Sequence, residues 1–189
     1  MKRCAMLFLA LVVGLFAAPA FSADYNTQLA ELRKTNSGAR AVGILDAINP
    51  LISSVLTTDS THAQSNTTLA NVGGLSVTLQ AGKTYIVRAM LFTTANASHG
   101  NKVDLGGGTA TVTAFRGVAS IFTASAVTKT RLTALTTSAG NNADNVMIQI
   151  EARVVVNAAG SLIVRHAQNT SGATDSIIYA GSFLTAQEI

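Results

Sequence analysis

"VMIQIEARVVVNAAGSLIV", residues Val146 to Val164, sets two apolar-alternating runs on either side of a stretch of small residues. In the first run Val146, Ile148, Ile150, Ala152, Val154 and Val156 share one face, while Met147, Gln149, Glu151 and Arg153 share the other. A period of two is the signature of a strand with one buried face. Leu162 and Val164 keep the same parity if Val156 stands opposite Leu162. That pairing leaves Ala158-Ala159-Gly160 as the loop of a β-hairpin, with Gly160 where a left-handed bulge residue is needed. The expectation is therefore a hairpin with one apolar side.

Working outward, "LSVTLQ" buries Leu75, Val77 and Leu79 on one side. "KTYIVRAMLFTT" places Tyr85, Val87, Ala89 and Leu91 on one face and Ile86, Arg88, Met90 and Phe92 on the other. A two-residue turn between these runs would pair Leu79 with Thr84 and bring Arg88 onto the face of Leu75. The parity favours instead a longer loop or a chain that passes from one sheet to another. Further strands are expected at 102–105, 109–115, 118–124, 130–136 and 176–184, separated by Gly106-Gly107-Gly108, by 138–142 and by 169–172. The Thr, Val, Ala, Ser and Gly texture from about Leu51 onward is that of strands. The fold class read from this is all-β: a jelly-roll sandwich of about eight antiparallel strands over residues 61–189.

The region before it reads differently. Met1 to Ala23 has Lys2 and Arg3, an apolar run from Ala5 to Ala18, then Pro19 and small residues, the three-part pattern of a secretory signal peptide over residues 1–22. The run is short for a permanent membrane span. Residues 23–60 form an N-terminal arm with short helices: Leu29 and Leu32 stand at helical spacing, and Val42, Leu45 and Ile48 share a helical face that ends at Pro50. Val42, Leu45 and Ile48 are the residues expected to attach the arm to a partner.

Of 189 residues 48% are hydrophobic and only 12% charged, with no Trp. Such a chain fills a core and is not a disordered one. Removal of the leader would take Lys2 and Arg3 with it, leaving a net charge of about +2. The other basic residues are scattered along the sequence with no run, so nucleic acid is not expected as a partner. Cys4, the one cysteine, lies in the leader, which excludes disulfides from the mature chain.

No reaction centre is legible. His62, His99 and His166 stand at no metal-ligand spacing, and His99, in "NASHGNK", reads as a solvated loop residue. No G-x-S-x-G elbow occurs, and the glycine triplet lacks the Lys-Ser/Thr of a phosphate loop. Asp144 and Asp175 sit in polar loops where solvation is the plainer reading than calcium or sugar. The expectation is no enzyme, no catalytic residue, no metal and no cofactor.

"NTTLANVGGLSVTLQAGKTYIVRAMLF", then "RLTAL", then "VMIQIEARVVVNAAGSLIVRHAQNTSGATDSIIYAGSFLTAQEI", in that order, resembles the C-terminal β-module of tailed-phage virion proteins. These are head fibres, capsid decoration proteins and tail-associated fibres with a trimeric, tumour-necrosis-factor-like jelly roll. The resemblance implies a homotrimeric structural protein of the virion, its arm bound to capsid or tail proteins and its β-head exposed, with a host surface glycan as a further partner. The leader departs from that pattern. It raises the alternative of an exported bacterial surface or carbohydrate-binding module of the same fold, secreted or held at the cell surface, with loops 96–101 and 169–175 around the ligand.

Ile86, Met90 and Phe92 form an apolar second face on their strand, as expected where another protein surface covers a sheet. His166 shares parity with Leu162 and Val164 and reads as a hydrogen-bonded histidine near the core or a subunit axis; with Ile86, Met90 and Phe92 it completes the set expected at the subunit interface.

Overall fold

A computed structural model describes residues 51–106, 108–144 and 146–189; the leader and the expected arm residues Val42, Leu45 and Ile48 lie outside them. The described residues form two antiparallel sheets and no helix. In chain order the strands are β1 (Leu51–Val55), β2 (Ser60–His62), β3 (Ala70–Leu79), β4 (Thr84–Thr94), β5 (Asn101–Gly106), β6 (Thr111–Phe122), β7 (Val127–Leu132), β8 (Ala139–Asn141), β9 (Val146–Ala158), β10 (Gly160–Gln168), β11 (Ser176–Ile178) and β12 (Phe183–Glu188). The larger sheet runs β1-β12-β4-β9-β6-β7, with β11 joining β2 to β4; the smaller runs β3-β10-β5-β8.

The stretch from Val146 to Val164 is not a hairpin. β9 pairs with β4 and β6 in the larger sheet, whereas β10 pairs with β3 and β5 in the smaller one. The chain crosses between sheets at Ala159. Val156 and Leu162 are both buried because they face the same core from opposite sheets. A hairpin and a corner preserve the same inward parity, so alternation alone could not separate them.

At the other crossing, of the two outcomes the parity left open, the chain passes between sheets: Leu79 pairs with Gly160, and Thr84 with Val155, so β3 and β4 belong to different sheets. The two crossings lie side by side: Gly82 N–H donates to Val156 O at 2.9 Å, and Val156 N–H to Lys83 O at 2.9 Å. β3-β4 and β9-β10 thus form one antiparallel ladder bent over the edge of the sandwich. Gly82 takes φ +74° in this bend, a conformation side chains with a Cβ disfavour. A second bend at the far end of β4 joins residues 95–100 to 169–175, with Thr170 N–H donating to His99 O at 3.0 Å.

Inside, Leu75, Val77 and Leu79 of β3 and Leu162 and Val164 of β10 meet Tyr85, Val87, Leu91, Ile148, Ile150 and Val154 of the facing sheet. Tyr85 is 1% exposed, and its hydroxyl accepts from Gln80 N–H at 3.2 Å, so its polar end is satisfied at the bend.

Three further expectations change. Residues 51–55, assigned to the arm, are β1, paired along its length with β12 from Leu51↔Gln187 to Val55↔Phe183. The two strands expected at 109–115 and 118–124 are one, β6. Gly117 lies within it, where a Cβ would stand 2.8 Å from that of Ala152. The strand expected at 176–184 is two, β11 and β12, separated by a turn in which Gly181 has φ +87°.

At the first bend a Cβ on Gly160 would meet Ala110 N and Thr109 Oγ1 at 2.5 Å. Gly160→Ala should cost about 1–3 kcal/mol as overpacking, and Ile150→Ala, in the centre of the larger sheet, about 2–5 kcal/mol as a cavity. Urea denaturation with an unchanged m-value would check both.

Candidate interaction face

The side of the larger sheet turned away from the core is the candidate site. Its strands hold outward residues in register, so rows of side chains run straight across it. Phe92, Met147, Phe122 and Val127 stand opposite one another on β4, β9, β6 and β7, and Tyr179 N–H donates to Phe92 O at 2.8 Å. The next row places Val55, Phe183 and Met90 together. Phe92 is 40% exposed, Tyr179 39%, Val127 51% and Val55 55%. One end of this face is thus apolar and open.

Toward the first bend the same face changes character. Arg88 Nη2 donates to Glu151 Oε1 at 3.1 Å, an exposed pair worth little by itself. Beyond it Ile86 stands opposite Arg153, and Arg153 opposite Arg116. On β7 Arg131 stands level with the Arg88–Glu151 pair and Lys129 level with Met90. The sequence showed these cations as dispersed; the register gathers them. The one sequence signal was parity, which sets Arg153 outward on β9.

Of the residues expected at an interface, Ile86 and Met90 are partly buried and Phe92 is exposed, all three on this face. His166 does not join them. It points inward from the smaller sheet, 2% exposed, with Nε2 at 2.8 Å from Asn101 Oδ1 and 3.2 Å from Ser176 Oγ. An inward residue on β10 shares parity with the core, which is why the pattern placed it with the apolar set.

The three histidines gather near the second bend. The His62 and His166 rings are 5.8 Å apart between centroids. His62 Nε2 lies 2.9 Å from Thr68 O. His99 is 3% exposed rather than solvated, its Nε2 3.0 Å from Thr174 Oγ1. Loops 96–101 and 169–175, named for a ligand in the alternative reading, are bonded to each other by Thr170 Oγ1 donating to Ser98 O, and Gln168 Nε2 ties the second loop to itself at Gly172 O and Thr174 O. On the outer side of the smaller sheet, Arg165 grips the fully buried Asp104 side chain at 2.8 and 2.5 Å, and this bond raises the guanidinium pKa. Asp144 accepts from Thr94 Oγ1 at 2.8 Å, and Asp175 is exposed. Among the described residues no group of three His, Cys, Asp or Glu is placed to hold a metal ion, and no helix is long and apolar enough to cross a membrane.

No family model matches the chain, and no curated protein matches it. Among solved structures it is similar to the Eiger TNF of S. frugiperda, at 13% identity and TM-score 0.34, over 74% of this chain and 93% of that one. It is also similar to a CocE/NonD family hydrolase from Staphylococcus aureus, at 10% identity and TM-score 0.34, over 75% of this chain and 37% of the hydrolase. A third is infectious bursal disease virus, Gx strain, at 17% identity and TM-score 0.20, over 74% and 40%.

Burial, and secondarily the charge of His62, lowers the His166 pKa to about 3. In the unfolded chain the group titrates near its ordinary value of about 6.5, so below that pH the unfolded state binds a proton the folded state refuses. Stability should be fully present above about pH 6.5 and fall by about 1.4 kcal/mol for each pH unit below it. Urea midpoints between about pH 7 and 5 would show this slope, and His166→Gln should flatten it.

Proposed function

We propose that this chain is a structural protein of a tailed-phage virion: a capsid decoration, head-fibre or tail-associated protein whose β-domain is a jelly roll and assembles as a homotrimer. Two features support the jelly roll. The four-strand orders β1-β12-β4-β9 and β3-β10-β5-β8 are those of a doubly bent antiparallel ladder, and β6-β7 is a hairpin added beyond β9. The residue order quoted for the phage module supports the virion assignment.

The observation that carries the assembly is the open apolar end of the outer face. Val55, Phe92 and Val127 project from β1, β4 and β7 and Tyr179 from the turn after β11, with Phe183 of β12 between the first two strands and Met147 and Phe122 of β9 and β6 between the last two. An apolar patch shared by several strands is the mark of a surface that a second protein closes. Three copies related by a rotation axis cover such a face without leaving an open end, whereas an unclosed contact would propagate. In this reading the arm carrying Val42, Leu45 and Ile48 docks on the particle, and the work of the protein is geometric: stabilising the particle or presenting a surface to the host.

The alternative, an exported bacterial surface or carbohydrate-binding module, draws on the leader. Chain sequencing that begins at Ala23 or Asp24 would favour it.

Native mass measurement at micromolar concentration should give three chains. Phe92→Glu, which puts a charge into the apolar end while leaving the core untouched, should give single chains with an unchanged β spectrum. A wild-type monomer would remove the reading. Purified particles should contain the protein in stoichiometric amount.

A further inference from the structure

The ion-pair pattern of the described residues is uneven. Lys83 is paired with Glu188, Arg88 with Glu151 and Arg165 with Asp104, and Lys102 donates to Thr67 O. The remaining cations, Arg116, Lys129, Arg131 and Arg153, have no ion-pair partner among the described residues, and all stand outward on the three adjacent strands β9, β6 and β7. Arg116 and Arg153 are directly opposite in the register, and both are exposed. Arg131 faces Val118, one outward step from Arg116, and Lys129 faces Ser120 beyond it.

Like charges placed directly opposite across two strands destabilise a sheet. The nearest carboxylate, Glu151, stands one outward step from Arg153 and is already bonded to Arg88, so the opposition has that cost and no carboxylate of its own, and an anion from outside accounts for it. We propose that Arg116 and Arg153, with Arg131 and Lys129, form a binding site for an anionic polysaccharide, the sulfate, phosphate or carboxylate groups of which seat between the guanidinium forks.

The chemistry of the patch selects this class. Guanidinium groups take oxyanions in bidentate fashion, and strands about 4.8 Å apart set successive cations at the separation of closely spaced anionic groups on one flexible chain. Nucleic acid is less well served. The Arg116–Arg153 pair has Val118, Glu151, Ala114 and Val155 beside it, and the outward rings Phe92, Phe122 and Phe183 stand two or three outward steps further along the strands, only Lys129 lying one step from such a ring, so no platform for base stacking adjoins the guanidinium pair. The described residues outside the patch add no positive excess that would follow a phosphate backbone.

The Arg116–Arg153 pair at its centre stands three outward steps from the Phe122–Met147 row of the apolar end, so heparin binding and native mass are separate readouts. Full-length protein should bind heparin, used as the anionic polysaccharide probe, with an affinity that declines steeply with salt. Arg116→Glu removes one fork and places an opposite charge before Arg153. It should weaken heparin binding by about tenfold or more while raising the melting temperature by about one to a few degrees. Loss of binding together with gain of stability separates the site from a folding defect. Arg153→Gln should lose binding in the same direction. Unchanged heparin affinity in both variants would overturn the proposal, as would a lower melting temperature in Arg116→Glu. Tighter binding to a DNA duplex than to heparin at equal salt would overturn it in favour of nucleic acid.

Discussion

The molecule depends on one antiparallel ladder that does not stop at the edge of its sheet. β3 and β10 pair in the smaller sheet, β4 and β9 continue the pairing in the larger, and the bend between them is held by hydrogen bonds exchanged across Gly82, Lys83 and Val156. Every inward residue of both sheets owes its direction to that register. A slip by one position at the bend would turn Leu79 and Val154 to solvent together. Because the core lies inside the bend, the other side of the larger sheet receives no cover from the described strands, and this is where its chemistry is on view.

Alternation made the larger part of the fold legible. The inward sets of β3, β4, β9 and β10 were readable residue by residue, and the refusal of Arg88 to share a side with Leu75 ruled out a two-residue hairpin between β3 and β4 while leaving a longer loop and a crossing between sheets both open. Pairing partners were not readable, since Val156 and Leu162 are equally inward whether their strands are neighbours or face each other across a core. Short strands without clear alternation were missed for a related reason. β1 reads "LISSV" after a proline-terminated helical pattern, and only its match to β12 makes it a strand. Of the candidate site, Ile86, Met90 and Phe92 were found because an apolar residue on a polar face stands out. The Arg116–Arg153 opposition was invisible because it joins positions far apart in sequence, and His166 could not be divided between core and subunit axis because a buried hydrogen-bonded imidazole obeys the same parity as valine.

The two ends of the sandwich are built on different physics. The first bend is closed by backbone contacts so tight that glycine is required, at Gly160 beside Thr109 and Ala110. The second is closed by polar side chains: His99 to Thr174, His166 to Asn101 and Ser176, Gln168 to the 172–174 backbone. Buried polar networks of this sort are favourable only while every member is satisfied, and burial disfavours the charged form of His166 within it. Acid therefore acts on one end of the domain and leaves the other to packing.

The position of β12 has a consequence for how the chain reaches this state. It lies between β1 and β4, strands more than 90 residues earlier in the chain, and pairs with both. The larger sheet is therefore split until residues 183–188 arrive, and nearly all its ladders join distant segments, the topology that folds slowly. A nascent chain of this kind stays open through most of its synthesis, and its ordering is a late, all-at-once event.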